Sequence, residues 1–171
     1  NKKQSIGVLL GGESYDISLL KIAKSLTKFQ YKLNIFIVTG LTQNKLLKKN
    51  LQKLLPAASL YCSVNVEDFF PRLDFAIVGG GYTKIESYIY KIPSLIISTQ
   101  YHQIPLATIF CKKTNQKYLG HSNYISSKGI EKKIEELTLN KINSVDYSLR
   151  NIFLNSFQNM ISVIKKELKL L

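Results

Sequence analysis

The chain has 171 residues, 45% of them hydrophobic, with 24 Lys+Arg against 11 Asp+Glu for a net charge of +13. That length suits one domain with a proper core, which does not depend on disulfides. No apolar stretch approaches the ~20 residues of a membrane-spanning helix, and the opening "NKKQSIGVLL" lacks the apolar region and cleavage site of a signal peptide.

Ile6–Leu10 is a short, continuously apolar run closed by Gly11-Gly12 and reads as a buried strand. Ile17, Leu20, Ile22, Ala23, Leu26 and Phe29 then recur at helical spacing, with Asp16 as the expected N-cap. Leu33–Val38 is the second strand. Thr42 is expected to open a helix through about Leu54, ended by Leu55-Pro56. Ser59–Cys62 is a third strand, and a short helix around Glu67–Leu73 leads into the strand Phe75–Val78. After Gly79-Gly80-Gly81 comes a helix from about Thr83 to Tyr90, then Pro93 and the strand Leu95–Ser98. A helix over Ile104–Lys113, a last strand Lys117–Leu119 and a charged helix Lys128–Leu137 follow. Beyond Asn143-Ser144 a long helix is expected, with Leu149, Ile152, Phe153, Phe157, Met160, Ile161, Ile164 and Leu168 on one stripe.

Strands that are apolar throughout, alternating with helices, imply a parallel sheet covered on both faces. The expected fold is α/β: one domain built on a doubly wound, mostly parallel six-stranded Rossmann-like sheet. Cys62 and Cys111 lie far apart without metal-ligand spacing, so both read as small core residues in a reduced, cytoplasmic setting.

The charge favours an anionic partner, but the excess is almost all lysine, scattered along helical stretches such as "LLKKNLQKLL" and "IEKKIEEL". Such lysines also suit a plainly solvated surface. No Arg cluster, RNA-binding aromatic motif or zinc finger accompanies them, so nucleic acid is not the expected partner.

In an open parallel sheet, ligands bind beyond the carboxyl ends of the strands, where strand order reverses. Three strand ends carry candidate chemistry: Gly11-Gly12-Glu13-Ser14, Gly79-Gly80-Gly81-Tyr82-Thr83 and Gln100-Tyr101-His102-Gln103. A glycine turn before a helix exposes backbone amides that can hold phosphate without a metal. The same glycines also serve turning alone, and neither turn is a G-x-G-x-x-G or a Walker loop. The first turn thus lacks the nicotinamide-cofactor fingerprint, as the chain lacks that fingerprint's ribose-binding acid after the second strand. Glu86 lies three residues past Thr83, where its carboxylate can accept from ribose hydroxyls or simply suit the start of a helix.

The stretch "DFAIVGGGYTKIESYIYKIPSLIISTQYHQ" resembles the nucleotide-binding signature in the C-terminal half of GT-B enzymes. The nearest types are glycosyltransferase family 28 and the UDP-sugar hydrolases of pseudaminic acid and spore-coat polysaccharide synthesis. "IGVLLGGES" is similar to the phosphate loop that begins that half, and the likeness runs from about Ile6 to Gly120. It implies diphosphate binding by Gly11, Gly12, Gly80, Gly81, Tyr82 and Thr83, and ribose binding by Glu86. It further implies that uracil passes Val64 to Val66 and that the sugar meets His102 and Gln103. Tyr82 stands where the family has a small Ser, Glu13-Ser14 replaces Ser-Asp, and Lys91-Ile92 precedes Pro93 where Gly is frequent.

The resemblance implies displacement of UDP from a UDP-sugar, with no cofactor. No metal is expected, since the chain contains no Asp-x-Asp. No catalytic residue is assigned. The base is expected in an N-terminal half, carried by the same longer chain or by a separate subunit, with peripheral contact to an anionic membrane as a further partner. A non-catalytic nucleotide-sugar-binding module, and a basic domain for nucleic acid or anionic membranes, stand as alternatives.

Overall fold

The computed structural model describes residues 3–12, 15–40, 44–139 and 145–156. Six strands form one sheet: β1 (Gln4–Leu9), β2 (Leu33–Val38), β3 (Ser59–Tyr61), β4 (Phe75–Gly79), β5 (Ser94–Ser98) and β6 (Lys117–His121). Their order is β3-β2-β1-β4-β5-β6, and every neighbouring pair is parallel. The expected doubly wound α/β sheet is therefore present, and all of it is parallel.

Helices α1 (Asp16–Leu26), α2 (Lys45–Leu54), α3 (Val66–Phe69), α4 (Thr83–Ile89), α5 (Gln103–Thr114) and α6 (Ser127–Thr138) connect or follow these strands. Side chains alternate across the sheet, so each strand feeds two cores. Ile6, Val8, Ile77 and Ile97 meet Leu19, Ile22 and Leu26 of α1, Leu47 and Leu51 of α2, and Ile130 and Ile134 of α6. On the other face Leu9, Ala76, Val78 and Ile96 meet Phe69, Tyr88, Ala107 and Phe110. Full burial of each leucine or isoleucine contributes about 1.5–3 kcal/mol.

Several boundaries differ from the sequence reading, each for a local reason. Tyr15, not Asp16, precedes the first turn of α1, so Asp16 is already helical. Ile17 is 81% exposed and lies off the buried stripe of that helix. Asn44 caps α2, its side chain accepting from the amides of Leu46 and Leu47 at 3.0 and 3.1 Å. Thr42 lies outside the described residues. β6 continues past Gly120, which takes φ 102°, to reach His121.

Of the final helix, residues 150–156 are described and helical, while Phe157, Met160, Ile161, Ile164 and Leu168 lie outside the described residues. Leu149 and Phe153 pack on the core beside α4 and α5, but Ile152 is 63% exposed, so the stripe narrows there. This segment is fastened to α4 by Tyr88, whose hydroxyl donates to the Asp146 carbonyl at 2.6 Å and accepts from the Leu149 amide at 3.2 Å. Among the described residues no helix is long and apolar enough to cross a membrane.

Candidate functional site

β1 and β4 are neighbours, paired in register from Ile6↔Phe75 to Leu9↔Val78. The chain leaves β1 toward β2 and leaves β4 toward β5, in opposite directions along the sheet. Strand order reverses between them, and the two glycine turns emerge side by side at that crevice.

A cleft of about 170 Å³ opens there. Gly11 and Gly12 from the first turn, Thr83 and Glu86 from α4, and Val64 and Val66 from the segment after β3 all line it. Six of the residues proposed from sequence are thereby brought together, from three separate connections. Leu9, Val38, Gly40, Cys62 and Ser63 complete the wall. Gly40, at φ 86°, lies two residues past the end of β2, a glycine that could have been noticed in the sequence. Cys62 is half-buried on this wall, not a core residue, because it lies just beyond the end of β3; Lys48 Nζ donates to its sulfur at 3.0 Å. Cys111 is buried as expected, and burial pushes its thiol up to about 12.

The two turns differ in what their backbones offer. Gly11 adopts φ 120°, a region that favours glycine, and a Cβ on Gly12 would meet nothing within 4 Å among the described residues. At the β4 turn, the Gly80 amide donates to the Ile97 carbonyl at 2.8 Å. Gly80 therefore extends the sheet, and its N–H is committed there. Gly81 is more open: the nearest atom to an added Cβ would be Gln103 Nε2 at 3.7 Å. Thr83 is buried at the first position of α4, within the stretch where helical amides have no intrahelical acceptor.

Glu86 is half-buried in the cleft wall and belongs to no ion pair among the described residues. Desolvation holds its carboxyl above the ordinary carboxylate range. A carboxylate in that position has its acceptor capacity open to hydroxyl donors.

The remaining proposed residues lie outside the cleft wall. Tyr82 is 86% exposed, its ring directed to solvent from the residue before α4. His102 is exposed just before α5. Gln103 is buried under the β4 turn; its Oε1 accepts from the Thr99 amide at 3.0 Å, which turns Nε2 toward Gly81.

One grouping escaped the sequence reading. The Tyr101 ring stacks on His121 at 4.3 Å and 12°, and its hydroxyl meets that of Tyr124 at 3.1 Å. His121 Nδ1 accepts from the Asn123 amide at 3.2 Å, while its buried Nε2 has no hydrogen-bond partner among the described residues. These residues come from the ends of β5 and β6, which the parallel pairing Ser98↔His121 brings together.

No family model matches the sequence, and no curated protein matches it significantly. Solved structures do match in fold. Acinetobacter baumannii MurG superposes with a TM-score of 0.73 at 12% identity, over 97% of this chain and 50% of that one. An S. aureus MnaA–UDP co-structure gives 0.68 at 15% identity, over 99% of this chain and 46% of that one. The fold is that of one half of a GT-B enzyme. UDP-GlcNAc 2-epimerase from Neisseria meningitidis bound to UDP-GlcNAc gives 0.65 at 15% identity, over 95% of this chain and 45% of that one. The chain thus spans about half the length of these three matched chains.

Proposed function

We propose that this chain is the UDP-sugar-binding half of a metal-independent GT-B enzyme that displaces UDP from a UDP-(N-acetylated) sugar. The displacement is by transfer or hydrolysis, in surface polysaccharide or nonulosonic acid biosynthesis. The observation that carries the proposal is the meeting of Gly11-Gly12, Thr83 and the Glu86 carboxylate, which has no ion pair among the described residues, in one cleft at the β1/β4 crevice. Two of the fold neighbours described above were solved with UDP or UDP-GlcNAc, which supports the ligand class.

In this assignment the diphosphate lies against the open amides of the Gly11-Gly12 and Gly81–Thr83 turns. The ribose hydroxyls donate to Glu86, and uracil passes Val64 and Val66. His102 and Gln103 face the sugar, Gln103 through the Nε2 held beside Gly81. As the anomeric C–O bond breaks, negative charge grows on the departing diphosphate, and amides already aimed at it lower the barrier without reorganising. The base and the acceptor site belong to the other GT-B half, in the same longer chain or on a separate subunit.

A module that binds the nucleotide-sugar without turnover is the second reading. It is favoured by the commitment of the Gly80 amide to the sheet, which leaves the β4 turn one donor fewer.

Calorimetric titration with UDP and UDP-N-acetylhexosamines tests the binding. Micromolar-to-millimolar affinity is expected, undiminished by chelator and weakened by Glu86→Ala; a flat response to every nucleotide would refute it. Turnover with the complementary half added separates enzyme from binding module.

A further inference from the structure

The β4 turn holds a charge that the cleft itself does not display. Lys84, the second residue of α4, is only 6% exposed, whereas lysines are almost never buried unless paired. Its ammonium folds back beneath the turn and donates to the Gly80 carbonyl at 2.8 Å and the Gly81 carbonyl at 2.9 Å. The Phe110 ring of α5 lies on another side, 5.7 Å from Nζ to the ring centroid.

No carboxylate forms an ion pair with Lys84 among the described residues. From α5 the titratable neighbour is Cys111, a thiol that burial keeps protonated, while Lys112 and Lys113 are exposed. β4 and β5, which also pack on α4, contain no ionisable side chain. On α4 itself Glu86 lines the cleft and the Tyr88 hydroxyl is engaged by the segment that carries Asp146, Tyr147 and Arg150. Burial without a counter-charge lowers the Lys84 pKa.

The two carbonyl contacts have a geometric consequence. In a trans peptide the C=O and the N–H of one unit point in opposite directions, and no cis bond occurs among the described residues. The Gly80 carbonyl shares its peptide unit with the Gly81 amide, and the Gly81 carbonyl shares its unit with the Tyr82 amide. Carbonyls drawn inward to Nζ therefore direct those two amides outward.

We propose that Lys84 is the positioning residue of this turn: it clamps the Gly80 and Gly81 carbonyls, presents the Gly81 and Tyr82 amides to a diphosphate, and takes that diphosphate as its missing counter-charge. The inference rests on the nucleotide-binding reading above and adds to it the residue that selects for the anionic part of the ligand.

The test compares UDP with uridine on the full chain and on Lys84→Met, which keeps most of the apolar stem and removes the charge. UDP affinity should fall about tenfold or more in the variant, as expected for losing a desolvated charge near an anion, while uridine affinity stays within about twofold. An unchanged ratio of UDP to uridine affinity would overturn the inference and leave the nucleotide-binding reading intact. If the unsubstituted chain binds neither ligand, both fall. Should Lys84→Met fail to fold, calorimetry of the unsubstituted chain with UDP at alkaline pH, in buffers of different ionisation heat, decides the matter. Net proton uptake on binding is expected as Lys84 regains its proton, and binding without uptake would overturn the proposal.

Discussion

The two glycine turns look alike in the sequence and differ in the fold. At the β1 end, a Cβ on Gly11 would reach only ordinary contact with the Tyr15 ring at 3.9 Å, and one on Gly12 would touch nothing within 4 Å among the described residues. At the β4 end, a Cβ on Gly79 would stand 2.2 Å from the Leu10 carbonyl oxygen, and one on Gly80 would press on Ser98 and Gln103 at 3.0–3.2 Å. The first turn is glycine at Gly11 because its backbone takes φ 120°, and Gly12 leaves its backbone open to approach. The second is glycine largely because its own sheet has already approached. A run of glycines before a helix therefore does not define a phosphate loop; what lies within a few ångströms of each missing Cβ does.

This contrast can be broken most forcefully at Gly79. Gly79→Ala drives a methyl group into the backbone of the adjacent β1 end, and should cost about 3 kcal/mol of stability, read as a lowered urea midpoint with or without nucleotide. A variant as stable as the parent would show that the seam is looser than its distances imply.

Gly12 sharpens the contrast from the other side. Gly12→Asp should leave the unfolding midpoint nearly unchanged but weaken UDP about a hundredfold, because a like charge is then set against the diphosphate. Gly12→Ala serves as the control, changing stability by less than about 0.5 kcal/mol. Equal loss of stability at Gly12 and Gly79 would erase the distinction between the turns.

The smallest effect concerns protons. Desolvation raises the Glu86 pKa, so as pH falls this group takes up its proton earlier than a solvated glutamate would. A protonated Glu86 accepts less well from two hydroxyls, so affinity for a UDP-N-acetylhexosamine should drop about tenfold as pH falls through that raised value. A nucleotide-sugar is the better probe because its diphosphate lacks the terminal ionisation of UDP. Glu86→Gln should bind more weakly at neutral pH and show a flat profile. For folding the sign is opposite: the buried carboxylate charge is unfavourable above its raised pKa, and that cost is relieved as pH falls through it.

The alternation of strands and helices was legible because parallel strands buried on both faces must be largely apolar, and Ile6–Leu9 of β1, all of β4 and Leu95–Ile97 of β5 carry no polar side chain. β2 was found at its full extent, Leu33–Val38. What sequence reasoning could not supply was contact between distant segments. That Gly79 abuts Leu10, or that Cys62 faces a cleft and not the core, depends on which strands are neighbours. Lys84 looks like any helix lysine until the turn before it curls over the ammonium. Likewise His121 was a lone histidine until pairing of β5 with β6 brought Tyr101 over it. Thr83 and Glu86 were singled out by their spacing together with the family resemblance, and one turn of α4 suffices to set them on the same wall.

The hydroxyl of Tyr88 has one more implication. Because it receives the Leu149 amide while giving its own proton to Asp146, that single peptide N–H is shielded only as long as the late segment rests on α4. Its deuterium uptake would thus time the lifting of that segment, and so report whether the back of the helix bearing Thr83 and Glu86 stiffens when a nucleotide settles at its front.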